Sequence, residues 1–422
     1  MEHLLDLSIN KFRAIKSAYI TLDGITVLSG INGCGKSTIS RLFYYVIKYS
    51  NEYEKLVCKE LNENLYSYFE LVNQIQFQMR DQPAVLRKLL SNNIDDAKQY
   101  IDRTINFLRS INIDDKKGNL VVTKRLISIF VSTLKLEDKR PIEEMIDLLI
   151  DSLTEQLNKA EGKIVTRPYE ILKKNLDYVF DVKIPTDVSV KEYGEEILGP
   201  DVTNVPLPHY FRKVAYIDTP MAIGNYFSRE NNSYWKDLDY CLRAKPQKNT
   251  ISDIESIIEG DILDGDVSYE EDAVDEKFKF KRRDNKIFNL LECATGVKSF
   301  SIIQLLLKNG FLDENALMII DEPEAHLHPQ WIIEYARLIV LLNKKMNVKF
   351  LISSHSTDMV SAIRYISEKE GVLDDVSFYV AENDEQDEYS YNYRSLGSDI
   401  EPIFESFNKS YDKLDKYGEQ EI

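Results

Sequence analysis

The stretch Gly30-Ile31-Asn32-Gly33-Cys34-Gly35-Lys36-Ser37-Thr38 decides the fold, because it fits the P-loop pattern G-x-x-x-x-G-K-[ST] at every position. Its three glycines carry no Cβ, so successive backbone N–H groups can turn inward as an anion nest. The apolar, β-branched run 24–29 before it predicts a buried parallel strand. Apolar residues at helical spacing after it predict a helix whose N-terminus faces the anion. These flanks favour a phosphate-binding loop over the alternative, a surface turn.

The residue types of the loop indicate how a nucleotide would be held. The ammonium of Lys36 would reach the β- and γ-phosphates, and the hydroxyl of Ser37 would hold Mg²⁺. The predicted nucleotide-binding residues of the loop are Asn32, Gly33, Cys34, Gly35, Lys36, Ser37 and Thr38.

Length and composition predict a globular protein. The chain has 422 residues, 43% of them hydrophobic, which is enough for two or three packed domains. Its apolar runs fall far short of the ~20 residues that a bilayer span requires, and no export signal is recognisable, so a cytoplasmic location is expected. No C-x-x-C pair occurs, and free thiols are expected for Cys34, Cys58, Cys241 and Cys293.

The charge balance is strongly acidic. The chain has 53 Lys and Arg residues against 70 Asp and Glu residues, a formal charge of −17. Such a surface repels a polyanion on average, so composition does not support DNA binding except through a local groove. A basic protein partner suits this surface better.

Strand patterns frame a long helical segment. Residues 5–10, 17–22 and 25–29 alternate or are β-branched, as strands are. From about Leu42 the pattern is helical, with apolar faces expected to pack helix against helix. Pro185 to Pro208 is predicted to be the return linker. The predicted parts are the N-terminal part of a nucleotide-binding core with the P-loop (1–48), a mainly α-helical insertion (49–210), the C-terminal part of the core (211–385), and a tail with a short strand and helix (386–422).

Past the insertion, residues 213–218 are predicted to form another core strand. An acidic segment, 253–276, then runs into the basic segment 277–283. The alternation of Phe278 and Phe280 with lysines predicts a half-exposed strand in a hairpin with the acidic side. A solvated hairpin with cross-strand charge pairs is the first interpretation, and a nucleic-acid contact is the second.

An apolar strand, 315–322, ends in two carboxylates, which is the Walker B form. Asp321 would bind Mg²⁺ through water, and Glu322 could polarise the attacking water. The alternative is that the two carboxylates simply begin a loop. His326 and His328 follow without a metal partner at suitable spacing, so a zinc site is not expected.

The strand predicted over 348–355 ends in His355. A histidine at the carboxyl edge of the sheet could meet the γ-phosphate. A purely structural residue is the alternative for a lone histidine.

Taken in order, these segments resemble AAA-family ABC-type ATPases of the branch that includes the SMC, RecF and OLD proteins. Residues 32–38 resemble the P-loop of the branch, Asp321-Glu322-Pro323 its Walker B, residues 325–328 its D-loop, and His355 its switch histidine. The resemblance implies an α/β fold: an ABC-type P-loop NTPase core, a mixed central sheet flanked by helices, with a large α-helical insertion. It also implies that ATP and Mg²⁺ are the cofactors, and that Lys36, Glu322 and His355 are catalytic.

Residues 294–299, Ala-Thr-Gly-Val-Lys-Ser, fall where the signature motif of that family lies. There, the signature of one subunit caps the γ-phosphate on the other, so Thr295 and Gly296 would act in trans. Val297 replaces the usual second glycine and Lys298 an amide or acid, which bears on the rate of hydrolysis more than on binding. Lys298 could itself contact a phosphate.

Two further elements of the branch have partial matches here. Arg13, in the turn after the first strand, resembles an arginine that approaches the nucleotide. His328 stands where the D-loop has an aspartate. The Q-loop glutamine stays open between Gln74, Gln76 and Gln78.

Within the branch, residues 294–331 look most like the PtuA family of anti-phage ATPases, which are found in Septu systems and with retrons and work beside an HNH nuclease. Too few residues follow Asn383 for the Toprim domain of OLD nucleases, so this chain is not expected to cut nucleic acid itself. The resemblance implies an antiviral defence ATPase that forms a head-to-tail dimer or higher homo-oligomer and controls an HNH-type nuclease, with DNA reached through that partner or a local groove and no membrane contact. A non-hydrolysing ATP-gated scaffold and a RecF-like DNA repair ATPase remain the alternatives.

Overall fold

The computed structural model of the chain describes residues 2–78, 93–110, 141–224, 233–247, 252–271, 276–325 and 327–405. The chain divides into two compact units. The first unit comprises Met1–Asn51, Leu176–Val202 and Pro206–Ile422, and the second comprises Glu52–Asn175 and Thr203–Val205.

All strands of the described residues lie in two sheets. In chain order they are β1 (Leu5–Phe12), β2 (Ile15–Leu22), β3 (Ile25–Ser29), β4 (Ser189–Glu192), β5 (Glu195–Leu198), β6 (Lys213–Ile217), β7 (Gly265–Glu271), β8 (Glu276–Arg282), β9 (Ile287–Asn289), β10 (Ala316–Asp321), β11 (Lys349–Ser354), β12 (Val376–Asn383) and β13 (Tyr391–Gly397). Strands β7, β8 and β9 form the smaller sheet, and the others form a ten-stranded sheet in the order β5-β4-β1-β2-β13-β12-β3-β11-β10-β6.

The large sheet is mixed. Strands β12, β3, β11, β10 and β6 run parallel to their neighbours in that series, whereas β1 is antiparallel to both β2 and β4. With helices packed against it, this sheet confirms the predicted α/β class with a mixed central sheet.

The described helices are α1 (Lys36–Asn51), α2 (Tyr53–Gln78), α3 (Ile94–Ser110), α4 (Ile142–Thr166), α5 (Tyr169–Phe180), α6 (Ser233–Leu242), α7 (Ser252–Ser256), α8 (Thr295–Lys308), α9 (Pro329–Met346) and α10 (Thr357–Glu370). Helices α8, α9 and α10 share one apolar core with the central strands. None of the described helices has the length and apolar character that a membrane span needs.

The central strands bring the predicted motifs to one edge of the sheet. Strands β3, β10 and β11 are buried along their whole length, as their mostly apolar sequences predict. Ser354 pairs with Ser29, and Ser353 pairs with Asp321. Because the strands are parallel, the residues that follow them meet at the same carboxyl edge.

The prediction of a return linker over Pro185 to Pro208 is wrong in part. This segment contains the hairpin β4–β5, which extends the large sheet next to β1. These strands are only four residues long and rich in charged residues, so their sequences show no alternation of apolar and polar residues that would predict a strand. Glu192 is 1% exposed, and its carboxylate accepts hydrogen bonds from the backbone N–H groups of His209, Tyr210 and Phe211 at 2.7, 3.0 and 2.8 Å. That carboxylate fixes the chain just before β6.

The second unit contains α2, α3 and α4, which pack on one another. Met145, Leu149 and Leu153 on α4 are fully buried, so the predicted apolar stripe packs helix against helix. The three glutamines considered for the Q-loop lie at the end of α2, and their side chains fall outside the described residues.

The small sheet contains the hairpin predicted from the acidic and basic segments. Phe278 and Phe280 on β8 are buried and face Tyr269 and Val267 on β7. Lys279 forms an ion pair with Glu270, while Arg282 pairs with Asp284 and Arg283 with Asp264. These pairs favour the solvated hairpin over a nucleic-acid contact, because they occupy cations that phosphates would need.

Candidate nucleotide-binding site

The loop between β3 and α1 has the backbone of an anion nest. Gly30, Gly33 and Gly35 have φ values of +154°, +84° and +99°. A Cβ at Gly30 would lie 2.8 Å from the Cβ of Ala381, and one at Gly35 would lie 2.6 Å from Cγ1 of Ile15. A Cβ at Gly33 would meet nothing within 4 Å, so this part of the loop is open. Packing therefore requires two of the glycines, while the third lies where a ligand can approach.

Lys36 is held inside the loop by the loop itself. Its side chain is buried, and Nζ donates to the carbonyl oxygens of Gly30 and Ile31 at 2.7 and 3.0 Å. Helix α1 begins at this lysine, and the N–H groups of Thr38 and Ile39 donate to the carbonyl of Gly35. The ammonium and the helix N-terminus thus provide positive charge at the same point, which suits a phosphate group.

The other loop residues divide into exposed and buried ones. Asn32, Gly33 and Ser37 are exposed, so their donors can reach a ligand. Cys34 is fully buried, with Sγ 3.6 Å from the hydroxyl of Tyr393, and that hydroxyl donates to the Cys34 carbonyl. Cys34 can therefore contact a nucleotide only through its backbone N–H.

Asp321, at the end of β10, has both carboxylate oxygens hydrogen-bonded. Oδ1 accepts from the hydroxyl of Ser40 at 3.2 Å, and Oδ2 accepts from the hydroxyl of Tyr216 at 2.6 Å. Burial, reinforced by the charge of Asp321, raises the pKa of Tyr216 well above its ordinary value, so this phenol remains a donor. Ser40 also shares a hydrogen bond of 2.8 Å with Ser353 on β11. These bonds tie Asp321 to α1, β6 and β11.

Neither Ser40 nor Tyr216 was identified from the sequence. Tyr216 lies on a correctly predicted strand, and Ser40 lies one helical turn after Lys36. Each becomes a partner of Asp321 only because β6 and α1 lie beside β10, and no motif encodes that neighbourhood.

Glu322 stands in the left-handed region, with φ of +50°. Its N–H donates to the carbonyl of Ser353 at 2.8 Å, which holds the turn against β11. The carboxylate is about half exposed, and its Oε1 lies 3.6 Å from Nδ1 of His355. The structure therefore brings Glu322 and His355 together beside Asp321, as the sequence motifs predict. Their catalytic roles stay predictions.

A second carboxylate, Glu324, lies against the same histidine. Its Oε1 accepts from the hydroxyl of Ser354 and from the backbone N–H of His355, both at 2.8 Å. The side chain is 6% exposed, and Oε1 lies 3.3 Å from Nδ1 of His355. Sequence reasoning missed this residue, although its place three residues after Asp321 was a usable signal.

The predicted signature residues lie at the N-terminus of α8. Gly296 packs against the start of α9, because a Cβ there would lie 2.4 Å from Cζ3 of Trp331 and 3.3 Å from Cδ2 of Leu327. Lys298 is buried, and its Nζ lies 3.8 Å from Sδ of Met221. A phosphate contact by Lys298 would therefore require its side chain to leave this position. The action of Thr295 and Gly296 in trans stays a prediction.

Arg13 and His328 each have a partner within the first unit. Nη2 of Arg13 donates to the carbonyl of Phe180 at 2.6 Å, and its guanidinium lies over the rings of Phe12 and Phe180. Burial lowers the pKa of Arg13, and the nearby charge of Arg41 adds to this effect. Nδ1 of His328 accepts from the N–H of Gln330 and caps α9. The contact of Arg13 with a nucleotide stays a prediction.

His326 lies outside the described residues. Among the residues that are described, no cluster of three or more His, Cys, Asp or Glu side chains is arranged to hold a metal ion. Within the described part of the chain, none of Cys34, Cys58, Cys241 and Cys293 forms a disulfide bond.

Residues 180–361 match the model of a family described as "AAA domain, putative AbiEii toxin, Type IV TA system". This stretch is similar to an AAA domain. The AAA-like stretch contains Thr295, Asp321, Glu322 and His355, and the P-loop precedes it. No curated protein matches the sequence.

Solved structures that are similar to the chain include SMC heads and a transporter subunit. The SMC head domain from Thermotoga maritima has a TM-score of 0.38 and 10% identity, and covers 93% of this chain and 99% of its own. The Smc head domain of Pyrococcus furiosus, bound to the C-terminal domain of ScpA, has a TM-score of 0.35 and 9% identity, over 99% and 100% of the two chains. The cbiO1 protein of Clostridium perfringens, part of the transporter complex cbiONQ, has a TM-score of 0.32 and 12% identity, over 99% and 98%.

Proposed function

We propose that this chain binds ATP with Mg²⁺ and hydrolyses it. The observation that supports this most is the meeting of three motifs at one edge of the sheet: the P-loop after β3, Asp321 and Glu322 after β10, and His355 after β11. The AAA-like stretch 180–361 gives independent support, because it includes the second and third of these motifs.

The chemistry of the site fits a magnesium–nucleotide. Lys36 and the exposed N–H groups of the loop supply positive charge for the phosphates. The hydroxyl of Ser37 and the carboxylate of Asp321 are oxygen ligands of the kind that Mg²⁺ prefers, and Mg²⁺ would neutralise charge on the phosphates. In the proposal, Glu322 orients and polarises the attacking water, and His355 contacts the γ-phosphate, so positioning and electrostatics do the work.

In this proposal two copies meet head to tail around ATP. Thr295 and Gly296 of one copy would face the nucleotide that is held by Lys36 and Ser37 of the other. Thr295 and Gly296 both lie in the first turn of α8, and a helix N-terminus favours an anion such as a phosphate. ATP would then close a dimer or a higher homo-oligomer.

The cellular role we propose is antiviral defence of the Septu and retron kind. ATP-driven closure would control an HNH-type nuclease bound to the oligomer, and DNA would be met through that partner or a local groove. The acidic chain, with a formal charge of −17, suits a basic protein partner better than direct DNA binding.

The test is ATP binding and phosphate release by the purified protein with Mg²⁺, alone and with the nuclease encoded next to it. Lys36→Ala should abolish ATP binding. Glu322→Gln should keep binding, lower hydrolysis at least about 100-fold, and trap an ATP-dependent closed oligomer that light scattering detects. Lys344→Ala, which removes a surface ion pair with Glu370, is the matched control and should leave all three quantities unchanged.

Three outcomes would contradict the proposal, and the first two would each favour another function. ATP binding without phosphate release, both alone and with the partner, would favour the scaffold. Salt-dependent DNA binding by this chain alone would favour the RecF-like repair ATPase. Wild-type protein that fails to hold ATP with Mg²⁺ would refute nucleotide binding altogether.

A further inference from the structure

The junction between the Walker B turn and the end of β11 contains a buried carboxylate that the proposed mechanism leaves unused. Glu324 is 8% exposed as a whole residue, and its side chain is 6% exposed. Its Oε1 accepts two hydrogen bonds, from Ser354 and from the N–H of His355, while its Oε2 is buried and has no hydrogen-bond partner in the described part of the chain. A buried carboxylate oxygen without a hydrogen-bond donor raises the free energy of the folded state, so its presence requires an explanation.

A further potential donor to this carboxylate lies next to its Oε1. Nδ1 of His355 is also buried and, within the described ranges, without a hydrogen bond, although Oε1 of Glu324 is 3.3 Å away. An acceptor and a ring nitrogen are thus adjacent and misaligned. A small rotation of the imidazole would align them, because hydrogen-bond strength depends steeply on angle.

Both carboxylates of the turn lie on the Nδ1 side of the ring. Oε1 of Glu322 is 3.6 Å from Nδ1, slightly farther than Oε1 of Glu324. Glu324 is the more buried of the two and is fixed by its bonds to Ser354 and the His355 backbone. It is therefore the one that can hold the ring, while the more exposed Glu322 stays available to a water molecule.

We propose that Glu324 is a positioning residue that acts through His355. It fixes the His355 backbone against the Walker B turn and, after a small rotation of the ring, accepts a hydrogen bond from Nδ1, so that Nε2 faces the γ-phosphate when ATP is bound. Partners of this kind set the orientation of functional histidines in many sites. The inference rests on the proposed function for the role of His355, and the rival explanation is that Glu324 merely braces the end of β11.

A double-mutant cycle separates the two explanations. Glu324→Gln keeps a carbonyl oxygen for the Ser354 and backbone bonds but removes the charge that faces Nδ1. We expect kcat for ATP hydrolysis to fall about tenfold while KM for ATP stays within about twofold. Because Glu324 acts through His355, adding Glu324→Gln to His355→Ala should cause no further loss. Losses that multiply in the double variant would overturn the proposal.

Two controls guard against a purely structural effect. Glu334→Gln changes a half-exposed carboxylate on α9 that pairs with Arg337 at 3.1 Å, and it should leave kcat unchanged. Ser354→Ala removes one of the two bonds that fix Oε1 but leaves the charge that faces Nδ1, so it should lower kcat less than Glu324→Gln does. If Ser354→Ala lowers kcat as much as Glu324→Gln does, Glu324 is only a brace.

A readout without turnover tests the contact even if the proposed function fails. In protein with labelled histidine, the imidazole nitrogen resonances of His355 can be assigned by their loss in His355→Ala, since the chain has only 5 histidines. Glu324→Gln should shift the Nδ1 resonance of His355 and leave that of His209 unmoved. An unchanged His355 resonance refutes the contact, whereas a wild-type protein without ATP hydrolysis refutes only the proposed function.

Discussion

The hydroxyl of Tyr216 donates a hydrogen bond of 2.6 Å to Oδ2 of Asp321. The donor is on β6, and the acceptor ends β10, its parallel neighbour. The bond orients a carboxylate that we propose to bind Mg²⁺, so its effect should be visible in the metal dependence of catalysis.

Tyr216→Phe removes this donor while keeping the ring. We expect the Mg²⁺ concentration for half-maximal ATP hydrolysis to rise by about tenfold, because partners that orient a ligand affect metal affinity on that scale. A magnesium titration of the phosphate release rate measures it. Tyr335→Phe, at a fully buried tyrosine on α9, is the matched control and should not change the metal dependence. If both variants raise this Mg²⁺ concentration equally, the effect of Tyr216→Phe does not arise from its bond to Asp321.

The indole of Trp331 leaves no room for a Cβ at position 296, independently of the role in trans that we propose for Gly296. In Gly296→Ala the new Cβ would lie 2.4 Å from the ring, so the indole or one of the helices α8 and α9 must move. We expect a loss of about 1–3 kcal/mol in the free energy of unfolding, which is typical of overpacking. Thermal unfolding followed by tryptophan fluorescence is the measurement.

The matched control for that substitution is Gly260→Ala, where a Cβ meets nothing within 4 Å. It should be neutral or slightly stabilising. Combining Gly296→Ala with Trp331→Leu should recover part of the loss, since the smaller side chain makes room. A double variant that is less stable than both single variants would contradict this account of Gly296.

Glu192 connects the hairpin β4–β5 to the chain that enters β6. Glu192→Ala would leave three backbone donors, at His209, Tyr210 and Phe211, without their acceptor. Phe211 is buried whereas His209 is exposed, and a buried unsatisfied group costs about 1–3 kcal/mol, so a loss of about that size is expected in denaturant unfolding. Glu195→Ala, on β5, removes only an exposed ion pair with the His209 side chain and should cost less than about 1 kcal/mol. Similar losses in the two variants would show that the carboxylate does not hold this segment.

The four thiols should separate into two reactive and two protected groups. Cys241 and Cys293 are half-buried, whereas Cys34 and Cys58 are buried. Burial raises the pKa of Cys58 to about 11 and also raises that of Cys293, so Cys293 should react more slowly than Cys241. A thiol reagent at pH 8 should therefore modify Cys241 and Cys293 in the native protein, and the other two only on unfolding. The amount of modified thiol over time measures this, and Cys241→Ser should remove one reactive group. Rapid loss of a third native thiol would contradict the burial of Cys34 or of Cys58.

Much of the fold was predictable because strong local patterns encode it. Strands β3, β10 and β11 were predicted from apolar runs, and the hairpin β7–β8 from alternating Phe and Lys. The hairpin β4–β5 was not, since four-residue charged strands are stabilised by pairing with β1 rather than by their own sequence.

The sequence by itself determined the identity of the chemical groups: the glycine-rich loop with Lys36, the two carboxylates that end a strand, and the histidine that ends the next. These are local features, because each depends on a residue type at a fixed distance from the end of one strand. Only the tertiary structure decided which groups serve them. Tyr216 meets Asp321, Glu324 meets His355 and Trp331 fills the space beside Gly296, since each partner lies on a different segment that comes near only when strands and helices pack.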